Sequence, residues 1–95
     1  MATYMVFVRE RVKEAAEIEE YNKLAAGSLA GRSVRGLALY GAVQTLEGPE
    51  AQGVVLLEFA DREQALEWYN GEAYRTARAH RFLGADYRVI MFEGV

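Results

Sequence analysis

The chain has 95 residues, 52% hydrophobic and 26% charged, with a formal net charge of −3, no cysteine and one histidine. That length is a single domain, residues 1–95, able to bury roughly 60–65% of its unfolded surface. The acidic balance argues against nucleic acid, whose phosphates need a basic patch, and against an anionic membrane surface. Without cysteine there is no disulfide and no thiolate metal site. So apolar a chain with so small a core points to burial against a second subunit. MATYMVFVRE has no basic n-region, its apolar run is short for a signal peptide, and no run reaches bilayer-spanning length. A soluble cytoplasmic protein is expected.

In chain order, Thr3 to Arg9 is β-branched and aromatic with no Gly or Pro, which predicts a strand. Lys13 to about Leu29 predicts a helix, with Ile18, Tyr21, Ala25 and Leu29 at three- and four-residue steps. Acidic residues fill its first half, the end the helix dipole favours, but no side-chain cap is evident. GRSVRG, residues 31–36, reads as a turn-rich connection. Leu37 to Leu46 reads as the second strand, with Gly41 a bulge or close approach, and Gly48-Pro49 as turn punctuation. Gly53 to Phe59 is an almost continuously apolar third strand.

Asp61 is placed to cap a helix, with Gln64 at the capping-box position and Ala65, Leu66, Trp68 and Tyr69 on the buried side. Asn70-Gly71 predicts a helix end with Gly71 left-handed. A second helical segment puts Ala73, Ala77 and His80 on one face and Tyr74, Arg78 and Arg81 on the next, and ends at Gly84. Tyr87 to Phe92 is the fourth strand.

The order βαββαβ predicts a ferredoxin-like α+β sandwich, an antiparallel sheet with its helices on one face. The first, third and fourth strands are apolar on both faces, so the uncovered face would be a large exposed apolar patch in a monomer. A homodimer through sheet-on-sheet packing, a dimeric α/β barrel, is the expected solution.

These residues carry a family resemblance. Glu58-Phe59 at a strand end, then Ala65, Trp68, Tyr69, Tyr74 and Arg81, together with GRSVRG, Leu46-Glu47-Gly48 and Glu93-Gly94, resemble the DUF1330 family over nearly the whole chain. Gly71-Glu72-Ala73 stands where that family usually has Ser-Pro-Glu, and the usual Asp before the first helix is absent. The resemblance implies a dimeric α/β-barrel fold. It implies little about activity, because the wider superfamily includes cofactor-free oxygenases, haem-degrading enzymes, isomerases and ligand binders.

His80 is the one side chain that titrates near neutrality in the absence of perturbation, and is read as a candidate general acid or base, against a structural histidine. Arg81, read with it as catalytic, and Arg35 are candidate clamps for a carboxylate or phosphate, against ion pairing; Glu58, if inward, would take Arg81 as its partner. Tyr21, Tyr40 and Tyr74 are candidate ligand-binding residues, and Trp68 reads as core. No metal-ligand spacing, Walker loop, dinucleotide fingerprint or nucleophile elbow occurs, so no metal and no cofactor is expected. Two functions follow. One is a cofactor-independent enzyme acting on a small anionic or aromatic metabolite between helices and sheet. The other is a non-catalytic homodimeric ligand-binding or interaction module.

Overall fold

Residues 3–8 alternate strictly between fully and partly buried positions, as expected for a strand inside a sheet with unequal faces. The computed structural model, covering residues 1–95, places them in β1 (Thr3–Val12). The chain continues through α1 (Ala15–Ser28), β2 (Val34–Leu39), β3 (Gly53–Phe59), α2 (Arg62–Asn70), α3 (Glu72–Gly84) and β4 (Ala85–Glu93). The sheet is antiparallel throughout, in the order β2-β3-β1-β4. This is the expected α+β arrangement, with the second helical stretch divided at Gly71. No helix is long and apolar enough to cross a membrane.

Local chemistry explains most of the boundaries. Asp61 accepts a 2.9 Å bond from the Gln64 backbone N–H, the expected cap of α2. The start of α1 has no side-chain cap. The Lys13 and Glu14 amides instead donate to the Gly84 carbonyl at 2.7 and 3.0 Å, tying this end of α1 to the end of α3. Gly71 is extended (φ −71°, ψ 157°), not left-handed as expected. Glycine is needed there for space, since a Cβ would lie 2.9 Å from the Glu67 carbonyl oxygen.

The second strand also differs from expectation. It begins at Val34, inside GRSVRG, and ends at Leu39. Its register is set by β3, with Val34 opposite Phe59 and Arg35 opposite Glu58, and its irregularity falls between Gly36 and Ala38 rather than at Gly41. The chain leaves the sheet at Tyr40, which has a positive φ of 56°. Residues 41–50 form no strand. Gly48 turns with φ 85°, and Thr45 Oγ1 accepts from the Ala51 amide at 2.9 Å, closing the loop.

One face of the sheet packs under the helices. Met5, Phe7, Val55, Leu57 and Phe59 meet Tyr21, Ala65, Trp68, Tyr74 and Ala77 in one core cluster. The opposite face presents Tyr4, Val6 and Val8, cross-strand from Glu58, Leu56 and Val54 on one side and from Phe92, Ile90 and Arg88 on the other. Ile90 and Phe92 are 47% and 44% exposed there. Glu58 belongs to this outer face, because it shares the period-two parity of Val54 and Leu56. It pairs with Arg35 at 3.2 Å and accepts from the Tyr4 hydroxyl at 3.2 Å, so the Glu58–Arg81 pair that an inward Glu58 would make does not form. Removal of the α2 cap by Asp61→Ala should cost about 1 kcal/mol of unfolding free energy, and Asp61→Asn much less, as measured by urea denaturation.

Candidate functional site

α1 crosses β3 with alanines where it could carry larger side chains. Ala25 and Ala26 leave a gap above Val55 and Leu57, and the gap is a cleft of about 300 Å³. Phe7 and Trp68 form its aromatic floor, Tyr21 and Tyr40 its inner wall, and Asn22 its one non-hydrophobic lining residue. Trp68 is held by packing at 4.1 Å against Tyr74 and 5.5 Å against Phe59, and its indole N–H donates to Ser28 Oγ at 3.0 Å.

Tyr40 is placed by its neighbours. Its amide donates to the Val54 carbonyl at 2.9 Å. Its ring lies so close over Gly53 that a Cβ there would meet Cδ1 at 2.8 Å. The Arg9 guanidinium stands 4.8 Å from the ring centroid. The Tyr40 hydroxyl bonds to Tyr87 at 2.6 Å, and the Tyr21 hydroxyl bonds to Tyr74 at 2.8 Å. The Tyr21 and Tyr87 rings are 6.2 Å apart, so four tyrosines from α1, the end of β2, α3 and β4 converge beside the cleft.

Arg81 is 3% exposed, with its guanidinium 5.2 Å from the Tyr87 centroid and 5.0 Å from that of Phe82. Neither Arg81 nor Arg9 has a carboxylate partner. The Nε of each is buried without a hydrogen-bond partner.

The expected site residues therefore separate. Tyr21 and Tyr40 line the cleft, Tyr74 bonds to Tyr21, and Arg81 lies beside the tyrosine group. His80 is elsewhere: Nδ1 is 2.6 Å from Glu17 Oε2, tying α3 to α1, and the imidazole is outside the cleft lining. Of the small residues expected beside it, Ala77 is buried and Ala73 exposed. Arg35 is exposed and paired with Glu58. Arg9, Tyr87, Gly53 and Asn22 belong to the site but escaped the sequence analysis. Arg9 had one signal, its parity with Thr3, Met5 and Phe7 on the covered face of β1.

Burial pushes the Tyr21 and Tyr40 phenols well above the usual tyrosine range. It also raises Tyr74, with the Arg81 guanidinium pulling against it. A phenol whose folded pKa is raised contributes stability that is complete below the unfolded value, about 10, and is lost as pH rises toward the folded value. Spectrophotometric titration should therefore still show less than the full signal of the six tyrosines at about pH 11.5, where ordinary tyrosines are almost fully ionised. The remainder should appear together with alkaline unfolding seen by circular dichroism.

No curated protein matches the chain. Among solved structures it is similar to a protein of unknown function from Rhodopseudomonas palustris, with 18% identity, 99% of this chain and 82% of that one covered, and a TM-score of 0.77. It is also similar to a dimeric ferredoxin-like protein of unknown function from Jannaschia sp., at 16% identity, 99% and 100% coverage and a TM-score of 0.70. A third is SnoaB, a cofactor-independent oxygenase from Streptomyces nogalater, at 12% identity, 99% and 92% coverage and a TM-score of 0.63. Identities this low carry the fold alone, and the fold they carry is ferredoxin-like. The sequence pattern of the domain of unknown function DUF1330 matches residues 2–95, and the chain belongs to that family.

Proposed function

We propose that this protein is a homodimeric, cytoplasmic ligand-binding module. Each subunit holds a flat aromatic small molecule in the cleft between α1 and the sheet. The observation that carries the proposal is the cleft itself. It is concave and apolar, floored by Phe7 and Trp68, and has polar groups only at Asn22 and the tyrosine hydroxyls. Its volume of about 300 Å³ is at the small end of ligand sites and suits one or two rings.

The homodimer is supported by the outer sheet face. Val6, Val8, Val54, Leu56, Ile90 and Phe92 form an apolar field that the helices do not reach, rimmed by the Arg35–Glu58 and Arg88–Glu10 ion pairs. Two such faces packed across a two-fold axis would remove both from water. Dimeric ferredoxin-like structures of similar fold are consistent with it.

A second reading makes the protein a cofactor-independent enzyme in which His80 and Arg81 act on the bound molecule. One observation favours it: the Glu17 carboxylate engages Nδ1 of His80, leaving Nε2 as the free ring nitrogen. Turnover abolished by His80→Ala would establish that reading.

Three measurements test the proposal. Quenching of Trp68, the sole tryptophan, should report binding of a naphthalene-type probe, and Ala25→Phe, which fills the cleft, should weaken that binding at least tenfold while the dimer persists. His80→Ala should leave the quenching unchanged and lower stability by about 1 kcal/mol or less, the scale of a part-exposed side-chain hydrogen bond. Leu56→Glu should convert the dimer to a monomer in native mass spectrometry; a wild-type monomer at micromolar concentration would remove the dimer.

A further inference from the structure

Resting on the cleft reading above, we infer that the cleft takes an anion, an aromatic carboxylate or phenolate, whose charged group lies at the tyrosine end between Arg9 and Arg81. The first ground is where the positive charges go without partners. Arg11, Lys13, Arg32, Arg35 and Arg88 each have a carboxylate within 3.5 Å. Lys23, Arg62 and Arg75 have none but are exposed to water, and the half-buried Arg78 donates to the Tyr69 carbonyl. Arg81, the most enclosed cation at 3% exposure, has none. Arg9, half-buried at the end of the covered face, has no carboxylate either; its guanidinium donates to the Gln52 carbonyl at 3.4 Å, and the Nε of both arginines is buried and unpartnered. A guanidinium withdrawn from water without a counter-ion is costly. The aromatic faces of Tyr87, Phe82 and Tyr40 offset part of that cost. An anion beside them would offset more.

The second ground is a count of protons. Each hydroxyl pair, Tyr21–Tyr74 and Tyr40–Tyr87, has two O–H protons and one mutual contact, so one proton per pair is left to donate elsewhere. Either hydroxyl of the Tyr21–Tyr74 pair can be the donor, and an anion in the cleft would select the arrangement in which Tyr74 donates to Tyr21. In that arrangement Tyr21, which lines the cleft, has its own proton to give to the ligand. No carboxylate lines the cleft to compete for it. The inner end is therefore rich in donors and positive charge, the complement of a carboxylate or phenolate oxygen. Arg81 acts from behind Tyr21 and Tyr87, through its field and the hydroxyl pair. It is a positioning residue, and Arg9 does the same from against Tyr40.

The test compares naphthalene carboxylate with the isosteric naphthalene carboxamide at pH 7, by Trp68 quenching and calorimetry on the wild-type protein. The carboxylate should bind at least tenfold more tightly. Arg9→Met and Arg81→Met should each bring that ratio toward one while the carboxamide affinity is kept, a selectivity readout that a merely structural role would not move. If Arg81→Met does not fold, the wild-type ratio and Arg9→Met, at the less buried position, still decide. A carboxamide bound as tightly as the carboxylate removes the anion and leaves the cleft reading intact. An unchanged ratio in every folded variant overturns the roles given to the arginines. Neither compound binding to the wild type overturns the cleft reading and the inference with it.

Discussion

Trp68 is the contact on which every layer of this structure converges. Its ring meets Tyr74 of α3 at 4.1 Å, Phe59 of β3 at 5.5 Å and Phe7 of β1 at 6.2 Å. Its N–H donates to Ser28 Oγ, and Ser28 in turn donates to the Ala25 carbonyl at 2.6 Å, near the end of α1. One side chain thus connects three helices and two central strands, and its only polar atom is satisfied in the interior, which keeps burial of the indole favourable. Because Trp68 also floors the cleft, core and site share a wall. Core packing fixes the cleft floor within the small distances that interiors tolerate.

The sheet sets two different environments on its two faces. The covered face carries the aromatic core and, at the end where Arg9, Gly53 and Tyr87 lie in register, the polar end of the cleft. The other face is apolar with charged pairs at its margins. In a β-strand these roles are one residue apart. Glu58 and Phe59 are neighbours in sequence, yet one makes a surface ion pair with Arg35 and the other is 2% exposed beneath Trp68. A one-residue slip in β3 would exchange them, so the hydrophobic pattern strongly selects the observed register.

That parity was readable in the sequence, and so was much of the fold. The β-branched run of β1, the apolar run of β3, the Asp61 cap and the core role of Trp68 all express local rules that tertiary structure did not override. The DUF1330 resemblance over Glu58 to Arg81 belonged to the same legible region. The orientation of Glu58 stayed open, although period two already set it on the side of Val54 and Leu56, where it makes the ion pair with Arg35 that was the alternative to a ligand clamp. The bounds of β2 failed for another reason: its register depends on β3, a partner distant in sequence, and turn-forming residues in GRSVRG masked a strand that pairing imposes. Gly71 misled because close approach to the Glu67 carbonyl and a left-handed cap call for the same residue. In the site, Tyr21 and Tyr40 were legible as aromatics on amphipathic elements. Arg9 and Tyr87 were not, because periodicity assigns a face to a side chain and says nothing of which partner from another element will lie against it.

Tyr40 shows how one local departure opens the site. A bulky residue at φ 56° is strained by roughly 1–3 kcal/mol, and it persists only where its surroundings over-determine it. Here they do. The amide is bonded to Val54, the hydroxyl to Tyr87, and the ring is set between Gly53 and Arg9. Continued as a regular strand, β2 would carry the chain on alongside β3. The left-handed turn instead ends β2 at Leu39 and lays the Tyr40 ring across Gly53, where it becomes the inner wall of the cleft. The glycine of β3 and the strained tyrosine after β2 are therefore one device. The missing Cβ admits the ring, and the ring, held by its hydroxyl and by a cation, joins the apolar cleft to the hydroxyl pairs behind it.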